Sequence, residues 1–257
     1  MIKPESLQFH QNSDSDQAIL VIPGVAPVDF IKKHLDATCV QKGTGMVDFT
    51  WADNTQSTIQ SLDEISQFLK DTGVKRLGVM GISYGVLVGR LLVNFFETQQ
   101  TEIKVEGFVS YVGAVTPLDL RPYARLAGTT LPRRRGTRER VRDFWRFSDH
   151  YPETSAGVPV LAITSLGPTI GNTSIRVPDT LLNHRKAAER MQSHSGQIRV
   201  VQTEGEGFWI TDPSASRPRF NICGSHVTSI SQHPYLAQDI HQFLTTGDLN
   251  AQFLTLS

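Results

Sequence analysis

The stretch Arg76-Leu-Gly-Val-Met80, followed at once by Gly81-Ile-Ser83-Tyr-Gly85 and then by the apolar run Val86 to Phe96, decides how this chain is read. Its first part has the length and apolar character of a buried strand. Its last part is apolar nearly all round, which predicts a buried helix. Between them lie five residues with glycine at both ends. A serine on a sharp strand-to-helix turn needs small residues two positions before and two after it, because the strained backbone brings those positions into close contact. Glycines supply that room and leave the serine oxygen exposed at the strand's carboxyl end. The amino end of the following helix then sets backbone N–H groups where an oxyanion would form. Gly-x-Ser-x-Gly alone is a weak pattern, and its place between an apolar strand and an apolar helix is what gives it weight. The plain alternative is an ordinary glycine-rich βα turn.

Outward from this turn, apolar runs bounded by glycine and proline alternate with amphipathic stretches, the signature of a parallel α/β sheet. Ala18 to Ile22, closed by Pro23-Gly24, predicts a buried central strand. Further strands are expected at Met46–Trp51, Val105–Val112, Val158–Thr164 and Ile198–Gln202. Helices are expected at Val28–Thr38, around Ile59–Leu69 with an end at Gly73, at Pro178–Met191 and at Pro234–Leu244. Ser61 and Glu64 have capping-box spacing, although the apolar period starts earlier. Residues 117–157 interrupt the rhythm and read as a cap inserted in one domain spanning 1–257. A second irregular stretch runs from Glu204 to Gly224.

The composition bounds the function. The 257 residues carry 25 basic and 25 acidic side chains, a net charge of zero, so a globally basic nucleic-acid binder is excluded. At 39% hydrophobic residues, a disordered acidic scaffold is excluded as well. The apolar runs fall far short of the roughly 20 residues that span a bilayer. Met1 to Ser6 has no signal-peptide character, and the two cysteines, Cys39 and Cys223, have no metal-binding or disulfide-framework spacing. Reduced thiols in a cytoplasmic protein are the expectation.

A nucleophilic serine needs a base. Of the eight histidines, His226 in Gly224-Ser-His226 lies beyond the last expected strand and before the last helix, where the order serine, acid, histidine would put it. His233, beside Pro234, is its nearest rival. The first oxyanion donor is the backbone N–H of Tyr84. The second is expected in Pro23-Gly-Val-Ala26, with the N–H of Val25 as the choice. Tyr84 equally reads as a core aromatic. The acid is expected within a few residues of the Val158–Thr164 strand, yet Ser165-Leu-Gly-Pro-Thr-Ile-Gly-Asn-Thr-Ser174 holds no carboxylate, and the first to appear is Asp179. Asp119 is a rival and Asp212 a third candidate. Asp179 also reads as a helix-start residue facing the dipole, and a serine–histidine dyad without an acid is a further reading.

From about residue 18 to 245 the chain resembles the α/β-hydrolase superfamily. Within it, Ile22 to Phe30, Val112 to Arg121, Pro159 to Thr164 and Gly224 to Val227 look most like the acyltransferase or thioesterase of bacterial luminescence operons. That resemblance implies a mostly parallel sheet flanked by helices, Ser83 as nucleophile, His226 as base, and Val25 and Tyr84 at oxyanion positions. It implies release of an acyl group from an ester or thioester, carried in that family on acyl carrier protein. The family's acid would fall near Asn172 to Ser174, where no carboxylate stands. The luminescence enzymes also lack this glycine-rich form of the serine turn. The chemistry needs no metal or organic cofactor.

Seven arginines between positions 133 and 146 gather positive charge inside the expected cap. They suit an acidic carrier protein or a pantetheine phosphate, and equally a solvated helix face paired with Glu139 and Asp143. Phe144, Trp145 and Phe147 would line an acyl pocket or form the cap's own core. Two readings therefore stand beside the esterase or thioesterase: an impaired member of the fold that binds a ligand in its cleft, and a docking protein that holds an acidic partner.

Overall fold

The computed structural model describes residues 7–10, 16–24, 29–50, 58–99, 101–113, 157–170, 172–179, 181–187, 198–203 and 234–248. In chain order the elements are β1 (Leu7–His10), β2 (Gln17–Ile22), α1 (Asp29–Lys42), β3 (Gly45–Phe49), α2 (Thr58–Asp71), β4 (Arg76–Ile82), α3 (Gly85–Thr98), β5 (Lys104–Tyr111), β6 (Val160–Ser165), β7 (Ile198–Thr203) and α4 (Pro234–Thr246). The strands form one sheet in the order β1-β3-β2-β4-β5-β6-β7. Every neighbouring pair is parallel except β1 with β3, which run antiparallel from Leu7 opposite Phe49 to His10 opposite Met46.

The near-continuous apolar runs of the central strands follow from burial on both faces. Along β2, Ile19 and Val21 point to one layer while Ala18, Leu20 and Ile22 point to the other. The first layer holds Ile31, Leu35 and Cys39 of α1 with Leu236, Ile240 and Phe243 of α4. The second holds Ile65 and Leu69 of α2 with Val86, Val88, Leu92 and Phe96 of α3. Helix α3 is buried at five consecutive residues, Gly85 to Gly89, and then on one face only, at Leu92, Val93 and Phe96. Its all-round apolar character thus reflects a first turn wedged among strand ends rather than a wholly enclosed helix.

Three expectations are corrected. Helix α2 starts at Thr58, so Ser61 is a fully buried residue inside it and no cap. Strand β1 has no counterpart among the expected elements; four residues are too few to show a period, and its place comes from pairing with β3. The helix expected from Pro178 does not begin there. Residues 177–179 are irregular, and the first helical residue is His184. The Asp179 carboxylate draws in the backbone N–H groups of Leu181 and Leu182, which holds the chain in a turn. Asn183 then caps the helical residues, its Oδ1 accepting from Lys186 N–H. The expected cap at 117–157, with its arginines and aromatics, and the stretch 204–224 lie outside the described residues. Among the described residues no helix is long and apolar enough to cross a membrane.

Candidate active site

Strand β4 ends at Ile82 and α3 begins at Gly85, so two residues make the whole turn. Ser83 has φ +54°, a left-handed backbone that side chains other than glycine rarely adopt. It is held there by its neighbours. Ser83 N–H donates to the Tyr111 carbonyl (3.0 Å) at the end of β5, and the Ser83 carbonyl accepts from Val86 N–H (3.2 Å). The flanking glycines are steric requirements: a Cβ on Gly81 would lie 2.5 Å from Val86 Cα, and one on Gly85 would lie 2.0 Å from the Ile22 carbonyl oxygen. This is the local reason for Gly-x-Ser-x-Gly here. Tyr84 is helical in backbone (φ −60°, ψ −30°) and precedes α3 directly. Its ring packs partly buried against both apolar layers, as the core-aromatic reading expects.

The ends of three parallel strands meet at Ser83, as carboxyl ends do around a site in an open α/β sheet. Beyond β2, a Cβ on Gly24 would stand 3.1 Å from Ser83 Oγ. Beyond β5, a Cβ on Gly113 would stand 2.9 Å from the Ser83 carbonyl oxygen. Val112, which precedes it, also has a positive φ, +45°, so β4 and β5 are each followed at once by a left-handed residue.

Past β6 the chain makes an excursion and comes back. Ile170 N–H donates to the Ile175 carbonyl (2.9 Å) and Val177 N–H to the Pro168 carbonyl (2.7 Å), so 168–177 is a small hairpin. Asn172 to Ser174, where the resemblance places the acid, are exposed at its tip. Asp179 follows the hairpin's base and is only 2% exposed. Its Oδ1 accepts from the N–H groups of Leu181 (2.7 Å) and Leu182 (3.0 Å). Its Oδ2 meets His184 Nε2 at 2.8 Å. His184 Nδ1 in turn accepts from Ser165 N–H, the last residue of β6, at 3.2 Å. A backbone N–H can only donate, so the ring proton sits on Nε2 and is given to Asp179. One imidazole therefore separates Asp179 from the carboxyl end of β6. The helix-start reading of Asp179 is half right: it does organise backbone N–H groups, but in a turn, and it also binds a histidine.

His184 had no signal in the sequence beyond its place on an expected helix. With both ring nitrogens committed to Asp179 and Ser165, it is not a base for Ser83. His226, its rival His233, the Val25 N–H, and the carboxylates Asp119 and Asp212 lie outside the described residues. Cys39 is buried in α1, and burial, helped by the charge of Asp36, pushes its thiol up to about 12, an inert group. Among the described residues no cluster of three or more His, Cys, Asp or Glu is placed to hold a metal ion.

No protein-family model and no curated protein matches the sequence. Solved structures do match. An α/β-hydrolase enzyme from the metagenome of lagoon sediments at Mar Chica, Morocco, gives a TM-score of 0.58 at 12% identity, covering 95% of this chain and 97% of its own. The monoacylglycerol lipase of Paleococcus ferrophilus gives 0.56 at 12% identity, covering 93% and 97%. An esterase from Exiguobacterium antarcticum gives 0.54 at 10% identity, covering 76% and 85%. At such identities the likeness is one of fold, and the fold is that of the α/β-hydrolases. The likeness to the luminescence acyltransferases rests on the sequence stretches alone.

Proposed function

We propose that this chain is a serine hydrolase that cleaves acyl esters or thioesters through an acyl-enzyme on Ser83. The observation that carries this reading is the turn itself: a serine at φ +54° between a parallel strand and a buried helix, with the backbone of Gly24 close to its Oγ. The esterase and the lipase among the fold neighbours agree with it.

In this reading Ser83 Oγ bonds to the acyl carbonyl carbon while His226 takes its proton. The backbone N–H groups of Tyr84 and Val25 hold the tetrahedral oxyanion. His226 then protonates the departing alcohol or thiol as its bond to the acyl carbon breaks. Water, or another acceptor, gives a proton to His226 and bonds to the acyl carbon, and His226 returns that proton to Ser83 Oγ as the bond from Oγ to the acyl carbon breaks. Asp179 serves as the acid that orients His226. Its support is position: the hairpin and His184 bring it back to the carboxyl end of β6, two strands from β4 in the sheet. An acyl group on a carrier thiol belongs to the proposal through the sequence resemblance, as does a cytoplasmic setting through the cysteine usage.

The test is a fluorophosphonate label together with acyl p-nitrophenyl esters and acyl thioesters of several chain lengths, run beside Ser83→Ala. Labelling and turnover that vanish in Ser83→Ala are expected. A folded wild-type chain that takes no label and turns over none of these acyl groups would overturn the reading in favour of a cleft that only binds.

A further inference from the structure

The buried chain of contacts from Ser165 through His184 ends on Asp179, the proposed acid, while Ser165 and His184 are themselves outside the three groups that would do the chemistry. We infer that His184 is a positioning residue, which fixes the Asp179 carboxylate against the end of β6 and so sets the acid at the height from which it can orient the catalytic histidine. The inference rests on Asp179 being the acid, as proposed above.

The need for such a residue comes from the loop. Between Ser165 and Asp179 the chain leaves the sheet for the 168–177 hairpin, whose tip is exposed. An acid directly after a strand inherits its position from the strand's ladder. One that follows an excursion does not, and its place must be restored by contacts at the base. Besides the hairpin's backbone bonds, three side chains act there among the described residues. Ser165 Oγ accepts from Gly167 N–H (2.9 Å), which shapes the exit from β6. Arg176 Nη1 donates to the Gly167 carbonyl (3.0 Å), which ties the returning strand to the outgoing one. His184 alone of these reaches the carboxylate itself, and it does so with a rigid ring whose other nitrogen is anchored to the strand's last backbone N–H.

The carboxylate's own bonding fits a supporting rather than a rival role for His184. A carboxylate offers about four acceptor sites. Leu181 and Leu182 N–H groups come to Oδ1, and His184 Nε2–H comes to Oδ2. His184 is 8% exposed, so its ring is held by packing as well as by its two bonds. Its helical residues start after Asn183, whose Oδ1 accepts from Lys186 N–H.

The experiment compares His184→Leu, His184→Gln and His184→Asn with wild type and Asp179→Asn, using p-nitrophenyl butyrate turnover, with folding followed by circular dichroism and thermal unfolding. Loss of a positioning contact is expected to lower kcat by about 10- to 100-fold in His184→Leu with KM within about twofold. His184→Gln, whose amide carries N–H donors and a carbonyl acceptor, should recover most of that loss, whereas the shorter His184→Asn is expected to reach only one partner and should not. In the Asp179→Asn background, His184→Leu should cost nothing further, because both act through one group. If His184→Leu does not fold, the contrast between the Gln and Asn variants decides. Full turnover in His184→Leu, equal turnover in the Gln and Asn variants, or losses that multiply with Asp179→Asn would each overturn the inference. Full turnover in Asp179→Asn alone would instead remove Asp179 as the acid, a different failure with a different signature.

Discussion

Gly24 stands directly against Ser83: a Cβ built on Gly24 would lie 2.6 Å from Ser83 Cβ, 2.9 Å from the Ile82 carbonyl oxygen and 3.1 Å from Ser83 Oγ. The two residues follow the ends of β2 and β4, which pair in parallel up to Ile22 opposite Gly81. Adjacent strand ends, rather than any side-chain contact, set their separation. A methyl group there meets backbone as well as the serine, so it has no flexible neighbour to push aside. Gly24→Ala is expected to lower ester turnover by about 10- to 100-fold by displacing the serine or the neighbouring oxyanion loop. It should also cost about 1–3 kcal/mol of stability through overpacking. Steady-state kinetics and urea unfolding check this, and unchanged values in both would show that the two backbones are not in contact.

Ser83 itself separates chemistry from strain. Ser83→Ala should remove all fluorophosphonate labelling while leaving the chain folded. Ser83→Gly should do the same, yet unfold at a higher temperature than Ser83→Ala, because glycine accepts φ +54° without the steric cost of a Cβ. That cost is about 1–2 kcal/mol, offset in part by glycine's greater freedom in the unfolded chain. A Ser83→Gly variant less stable than Ser83→Ala would contradict the strained turn.

The Asp179 carboxylate has a structural load independent of catalysis. Asp179→Ala leaves the N–H groups of Leu181 and Leu182 and the Nε2–H of His184 without their acceptor in a buried setting. Since each buried donor left unmade costs about 1–3 kcal/mol, the midpoint of urea unfolding should fall clearly. A midpoint equal to that of wild type would mean that water or other groups replace the carboxylate at no cost.

His241 supplies a pH signature of stability. On α4 its Nε2 lies 3.0 Å from Thr44 Oγ1, and burial, with the nearby Lys42 charge, pushes its pKa from 6.5 down to about 4. The unfolded chain protonates this ring first as pH falls. Between about 6.5 and about 4 the unfolded state therefore binds more protons, so His241 contributes a loss of stability on acidification that levels off below the folded value. His241→Gln removes the titration and should show a smaller drop in melting temperature between pH 7 and pH 5 than wild type. Equal drops in the two proteins would assign the acid sensitivity to other groups.

How much of this was legible in residues alone differs from element to element. The strand Arg76 to Met80, Gly81 and the helix after it could be read because each requirement is local, and Gly85 could be read from the pattern although the atoms that exclude its Cβ belong to Ile22 and Pro23. Apolar period marks burial, and a two-residue turn packed between strand and helix admits no Cβ at its flanks. The ends were less legible: β4 runs two residues further than expected, to Ile82, because it pairs with β5 as far as Tyr111.

Asp179 illustrates the opposite case. In sequence it lies well past its strand and resembles a helix-start residue, so its standing as an acid was weak. Hairpin hydrogen bonds between Pro168 and Val177, and the bridge through His184, bring it back to β6. All of these residues lie between Ser165 and His184, yet no apolar period or turn motif marks which of them bond, and His184 gave no sign of its role for the same reason.

The sequence by itself determined that the chain builds a parallel α/β sheet and that Ser83 sits on a glycine-flanked turn at a strand's carboxyl end, since both follow from short-range sterics and periodic burial. Only the tertiary structure decided that β1 closes the sheet edge antiparallel to β3, that Gly24 and Gly113 converge on Ser83, and that His184 ties Asp179 to Ser165. The first two relations depend on strand order and on contacts between distant segments, and the third on the path of the loop between Ser165 and His184; in each, backbone pairing and the exclusion of water from buried polar groups, rather than local preference, select the arrangement.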